Sequence, residues 1–284
     1  MDVDLWILLS MCLCRSDGAF IHRCCDAFLQ TFRSYGARQG LIEIRRMNVQ
    51  QIIEELKQLG SAENVAGMAR FGIVTNKAFG VPASELKRVA KGVKKGVEDR
   101  HDFAQRLWET GVHEARIVAY LIDDPKRVTE EQMDAWAADF DNWAITDGTC
   151  GHLFCRTPLA YKKVHEWSRQ DKEYVKRAGI VLIAWLAVHD KKADDERIAE
   201  LLPILEEHAG DERNFIKKAV SWSLRQAGKR SLELNRPAIE AAERIRDQGT
   251  RSARWIAADA LRELTSEKTL ERLQAKQFKL TGKR

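Results

Sequence analysis

Proline is scarce in this chain of 284 residues, with five, and glycine is modest at seventeen. So few turn formers argue against an all-β fold of short strands. No glycine-rich phosphate loop, no His-Glu-x-x-His helix and no Gly-x-Ser-x-Gly elbow occurs, so the common phosphate-loop, zincin and serine-hydrolase signatures are missing. The apolar run LWILLSMCLC near the start is too short to span a bilayer. Asp2 and Asp4, not a cation, stand ahead of it, and Cys12 lacks the small preceding residue of a lipoprotein site. Net charge is only +5, so any binding of a polyanion has to come from charges gathered on one face. Of six cysteines, Cys12, Cys14, Cys24 and Cys25 crowd the start, leaving Cys150 and Cys155, too few and too local for a disulfide framework. That usage favours a reducing compartment, and a cytoplasmic protein is expected.

What is present is helix. The hydrophobic share of 44% and the charged share of 31% are those of a soluble globular chain. Residues 1–46 follow no clear period and are read as an N-terminal extension, compatible with an over-extended reading frame whose true start is Met47. From Met47 the texture changes to NVQQIIEELKQLGS, an amphipathic helix with a glycine stop. The pattern then predicts helices over 83–97, 101–109, 113–122, 129–140, 143–152, 159–168, 172–188, 194–208, 213–227, 232–246, 251–264 and 266–278. Thr129 and Gln132 have the spacing of a capping box. The fold class is all-α, with one domain over 47–284.

The helices repeat. EYVKRAGIVLIAWLAV (173–188) aligns with NFIKKAVSWSLRQAGK (214–229) at an offset of 41, matching Tyr174 to Phe215 and Arg177 to Lys218. RWIAADALREL (254–264) is a weaker copy, and HEARIVAYLI (113–122) shares the texture. Helical pairs recurring near this period mark a HEAT or armadillo-type solenoid, whose stacked pairs leave a long concave surface. Repeat-equivalent cations would make that face basic.

Lys218, Trp222, Arg225 and Lys229 step by four, three and four, one tryptophan among cations on one helical stripe. Ile216, Val220, Leu224 and Ala227 fall on another face. The stripe suits a polyanion with a flat or CH-rich surface, nucleic acid above all. The alternative is a tryptophan at a helix–helix seam with solvated cations around it. DFDNWAITDGTCGHLFC (139–155) is the least core-like helical stretch. Trp143 and Asp147 lie one turn apart there, and a carboxylate beside an indole stabilises a developing positive charge, by about 4 kcal/mol at about 4 Å and an effective dielectric near 20. Alternatively Trp143 is a buried anchor and Asp147-Gly148 a helix stop. Cys150, His152 and Cys155 cluster, but no further ligand sits at an ordinary zinc spacing, so neither a metal nor another cofactor is expected.

Taken together, NWAITD (142–147), YVKRAGIVL (174–182) and FIKKAVSWSLRQ (215–226) resemble the DNA alkylation repair family, the AlkD-type DNA glycosylases built from HEAT-like repeats. The likeness runs from about Asn48 to Phe278. It implies a lesion-facing cleft of Trp143, Asp147 and Trp222, with Arg177 and Arg225 on the DNA backbone beside the lesion, Lys218 and Lys229 extending the basic stripe, and a monomer acting on duplex DNA. It implies excision of N3- or N7-alkylated purines, with Asp147 facing the oxocarbenium ion and activating water while the tryptophans pack on the deoxyribose. Phe71 is the candidate for the family's N-terminal DNA-contacting aromatic, and Ala144 and Thr146 depart from its usual residues. Some relatives keep the fold without the activity, so a non-catalytic module binding nucleic acid or protein is the alternative. A membrane-associated protein, suggested only by LWILLSMCLC, is a weaker one.

Overall fold

The computed structural model describes residues 48–73 and 77–281. The extension over 1–46, its apolar run and its cysteines lie outside the described residues. Helices α1 (Val49–Gln58), α2 (Ala62–Arg70), α3 (Ala83–Gly96), α4 (Arg100–Glu109), α5 (His113–Ile122), α6 (Glu130–Ala138) and α7 (Trp143–His152) come first. A short 3-10 turn, Phe154–Arg156, leads to α8 (Ala160–Ser168), α9 (Glu173–His189), α10 (Asp195–Ala199), α11 (Leu202–Glu207) and α12 (Asn214–Gly228). Helices α13 (Leu232–Asp247), α14 (Arg251–Leu264) and α15 (Glu267–Thr281) close the chain. Among the described residues there is no strand, and no helix is long and apolar enough to cross a membrane.

Polar side chains start most of these helices by taking up N–H groups that the first turn leaves unpaired. Asn48 and Gln51 form a reciprocal capping box, and Ser61, Asp99, Thr129, Asp194, Ser231 and Thr250 each accept a backbone N–H. Asn142 accepts from both Ala144 and Ile145, which fixes where α7 begins. Thr129 caps α6, but the Gln132 side chain donates to Asp123 at 2.7 Å instead of returning to the cap. Gly111 turns α4 into α5 at φ 68°, a left-handed conformation that a side chain would strain.

Helices α3, α5, α7, α9, α12 and α14 pack side by side in that order and form a front row. A back row covers them: α4 lies on α5, α8 on α9, α13 on both α12 and α14, and α15 on α13 and α14. Each helix pair buries its apolar face against its neighbours, so one continuous core runs from Ile52 to Leu264. The back row carries a ladder of aromatics, with Trp108 stacked on Trp136 at 4.0 Å and indole N–H groups donating to Asp139 and Asp134. The N-terminal pair is tied to the front row by polar bonds. The buried Glu114 carboxylate accepts the backbone N–H groups of Phe79, Gly80 and Val81, and the Phe71 carbonyl accepts from Trp143 Nε1 at 2.9 Å.

The expected α-solenoid is present, with two differences in its elements. The stretch 62–70 forms α2, which the sequence pattern did not predict, and the helix expected over 194–208 is two short ones. Pro203 sits in the first turn of α11, where its missing N–H costs nothing and its ring favours a new helix start.

Candidate functional site

The stretch 139–155, expected to be the least core-like, is instead buried from Trp143 through Gly151. Its helix stands mid-row between α5 and α9, and small residues let neighbours close on it. The Tyr120 hydroxyl lies against Gly148 and the Trp185 ring against Gly151, in space that a Cβ on either glycine would fill. This packing leaves Trp143 7% and Asp147 8% exposed, both from one turn of α7.

Asp147 is held by Arg177. Arg177 Nε and Nη2 donate to its two carboxylate oxygens at 2.8 and 2.6 Å, and Nη1 donates to the Phe215 carbonyl at 2.5 Å. One guanidinium therefore ties α7, α9 and α12. Burial raises the Asp147 carboxyl above its ordinary value, and the Arg177 charge and hydrogen bonds oppose that shift. The result is an oriented carboxylate in a dry setting, with a strongly bound cation beside it. Tyr174 and Phe215, matched by the repeat alignment, pack at 5.6 Å and join Trp143, Met68 and Ile73 in a small apolar cluster. Phe71 is a half-buried member of the same cluster and gives its carbonyl to Trp143.

Trp222 lies elsewhere in the row. It is 7% exposed, belongs to the main core, and meets Trp185 edge-on at 5.4 Å. The structure thus joins Trp143, Asp147 and Arg177, and sets Trp222 two turns along α12 from the Phe215 carbonyl that Arg177 reaches. The indole N–H groups of Trp185 and Trp222 are buried and find no protein acceptor. Trp185 also stacks on His189 at 5.3 Å, and Tyr120 stacks on His152 at 5.6 Å.

The basic stripe of α12 does not stand in solvent as the spacing predicts. Arg225 is buried, donating to Glu263 at 2.6 Å and pairing with Asp259 at 3.3 Å. Lys229 reaches the other Glu263 oxygen at 2.6 Å. The cause is α14, which brings two acids against a face that local sequence leaves open. Lys218 remains partly exposed. The two thiols face carbonyls, Cys150 that of Ala178 and Cys155 that of Gly151, and among the described residues no metal-holding group of His, Cys, Asp or Glu is assembled.

Cations with no acid partner among the described residues gather at the other end of the row. Lys87, Lys91 and Lys94 are exposed at spacings of four and three on α3, with Arg156 following α7. Their shared field acts on the rings nearby. Burial, then Arg156, Lys87, His189 and Lys94, push His152 down to about 4. Burial with Arg156 and Lys191 lowers His189, and burial with Arg100 and Arg156 lowers Lys94. The spacing was visible in SELKRVAKGVKKGV, but only the stacking of α3, α5 and α7 brings Arg156 and His152 to it.

A sequence profile described as DNA alkylation repair enzyme matches residues 52–264. Comparison with curated proteins finds no match. Among solved structures, one described as a new family of proteins related to the HEAT-like repeat DNA glycosylases with affinity for branched DNA structures superposes with a TM-score of 0.62 at 22% identity. The match covers 70% of this chain and 83% of that one, and it establishes a HEAT-like repeat fold.

Proposed function

Because the chain belongs to the DNA alkylation repair enzyme family, we propose that it is a DNA glycosylase excising cationic N3- or N7-alkylated purines from duplex DNA. The observation that carries this reading is the buried Asp147 carboxylate, oriented by two guanidinium N–H bonds one turn from Trp143. Such a purine already bears positive charge, so the glycosidic bond breaks with its electron pair moving to the base, which leaves neutral without a general acid. The deoxyribose is left as an oxocarbenium ion. Asp147 supplies the anion that stabilises it and takes the proton of the water that adds to it. Burial, by raising this carboxyl, makes it a better proton acceptor. Trp143 packs against the sugar beside that carboxylate, with Trp222 meeting the strand two turns along α12. A base worked on in this open row need not be enclosed in a pocket, unlike the common extrusion route.

Arg177 in this reading positions Asp147 beside the lesion's backbone. Arg225 and Lys229, held by Glu263, support α12 from within, and Lys218 stays the stripe's candidate for phosphate. The main phosphate track is Lys87, Lys91, Lys94 and Arg156, whose charge no acid among the described residues cancels. The test is incubation with a duplex carrying one 7-methylguanine, scored for free base and for the abasic strand. Release of the base with a cleavable abasic site is the expected result.

One observation favours a second reading. Arg177 fully engages the charge that catalysis would use, and the structurally similar protein is described as having affinity for branched DNA. A non-catalytic DNA-binding module would show no base release and tighter binding to a four-way junction than to a duplex.

A further inference from the structure

Among the described residues only Trp255, 41% exposed, and Phe278 leave a large apolar side chain open to solvent. Trp255 stands in the second turn of α14, a front-row helix whose other side is filled by Ala253, Ile256, Ala257, Ala260 and Leu264. The open side presents Arg251, Arg254, Trp255, Ala258 and Arg262. From the neighbouring α12, Lys217 places its Nζ 4.9 Å from the indole centroid, and Lys218 follows it. Arg262 is paired with Asp259, and Glu212 caps the start of α14 through the Ser252 N–H. Among the described residues Arg251, Arg254, Lys217 and Lys218 have no ion-pair partner.

An indole left outside forgoes the burial that would otherwise stabilise the fold, and the Lys217 ammonium is the cation that approaches this one. Cations on both sides of it rule out an ordinary apolar docking face. A nucleotide has the matching parts, a flat base for the ring and phosphates on either side for the cations. In a duplex the base faces are already stacked on one another, so the ligand has to offer an unpaired base. An acidic peptide would meet the cations but bring no flat surface to the indole.

We infer that Trp255 is a stacking platform for an unpaired nucleotide of DNA, with Arg251, Arg254, Lys217 and Lys218 holding the phosphates around it. The inference takes DNA as the polymer from the function proposed above but is independent of the chemistry at Asp147. It places a single-strand site one helix beyond α12, on the same row as the lesion site.

The experiment measures binding of a labelled oligothymidylate of about twenty nucleotides and of a duplex of equal length by fluorescence anisotropy. Trp255→Ala is expected to weaken oligothymidylate binding about tenfold and leave duplex binding within about twofold, while Trp255→Phe retains most of the affinity. Because the ring is exposed, the variants should melt with the wild type, which circular dichroism checks. Oligothymidylate binding that is absent in the wild type, or unchanged in Trp255→Ala, overturns the inference. So does an equal loss on both DNAs, or polyglutamate binding that depends on Trp255. Release of 7-methylguanine from the duplex is read separately, so loss of the platform and failure of the glycosylase reading give different patterns.

Discussion

Replacing Asp147 by Asn removes one charge from a buried pair and leaves the other behind. Arg177 keeps its bond to the Phe215 carbonyl at 2.5 Å, and one of its two bonds to position 147 survives against the amide oxygen. Its charge is then uncompensated, with both side chains of the pair about nine-tenths buried. Breaking such a pair from one side costs about 3 kcal/mol, since the desolvation of the remaining ion is no longer offset. In a domain of this size that is a fall of about 6–12 °C in melting temperature. Arg177→Met should cost a similar amount by stranding the carboxylate. The double variant Asp147→Asn with Arg177→Met should be less destabilised than the two losses summed, by at least about 2 kcal/mol, because no buried charge is left alone. Thermal melts followed by circular dichroism measure all four proteins. Asp147→Asn melting with the wild type, or strictly additive losses, would refute the claim that the pair is formed and dry.

Other consequences follow from the same packing. Arg225→Ala should melt lower by about 3 kcal/mol of lost stability and leave the salt dependence of DNA binding unchanged, because this guanidinium serves Glu263 and Asp259. A shallower salt slope at full stability would instead put Arg225 on a phosphate. Changing Lys87, Lys91 and Lys94 together to Gln should lower the salt slope by about 2–3 without moving the melting temperature. Gly148→Ala should destabilise by about 1–3 kcal/mol through its clash with the Tyr120 hydroxyl and ring, and Tyr120→Phe should relieve it only in part because Cζ would still lie at 2.7 Å; no loss of stability in Gly148→Ala would contradict the contact. His152 is held near 4 in the fold, against about 6.5 unfolded, so the unfolded chain binds the extra proton in between. Its contribution to stability is complete above the upper value and is lost as pH falls toward the lower one. Urea midpoints between pH 7 and pH 5 should therefore fall less for His152→Gln than for the wild type.

Much of this architecture was legible in the sequence because it is written locally. The helix expected over 143–152 is α7, and the Tyr174–Phe215 correspondence seen in the repeat is a physical contact. Helix α2 was missed because AENVAGMAR is short, carries a central glycine and buries only Met68. The face of α12 was read as a solvent stripe because its partner, Glu263, lies on α14, 34 residues beyond Lys229. Distant acids decide whether a cation is a surface charge or a structural one, and no local spacing reveals them. The same blindness hid that Arg177 and Asp147, each legible as a functional residue, hold one another. Neither the α3 stripe nor Trp255 stands out in the sequence, because their significance depends on what α5, α7 and α12 bring beside them.

Whether Asp147 acts on the departing sugar is decided by single-turnover excision of 7-methylguanine by Asp147→Asn. The assay should be run well below the variant's melting temperature and beside a measurement of duplex affinity. Excision should be at least about a hundredfold slower, a loss of about 3 kcal/mol of transition-state stabilisation, with affinity nearly unchanged. Excision by Asp147→Asn at the wild-type rate would contradict it and remove this carboxylate from the chemistry.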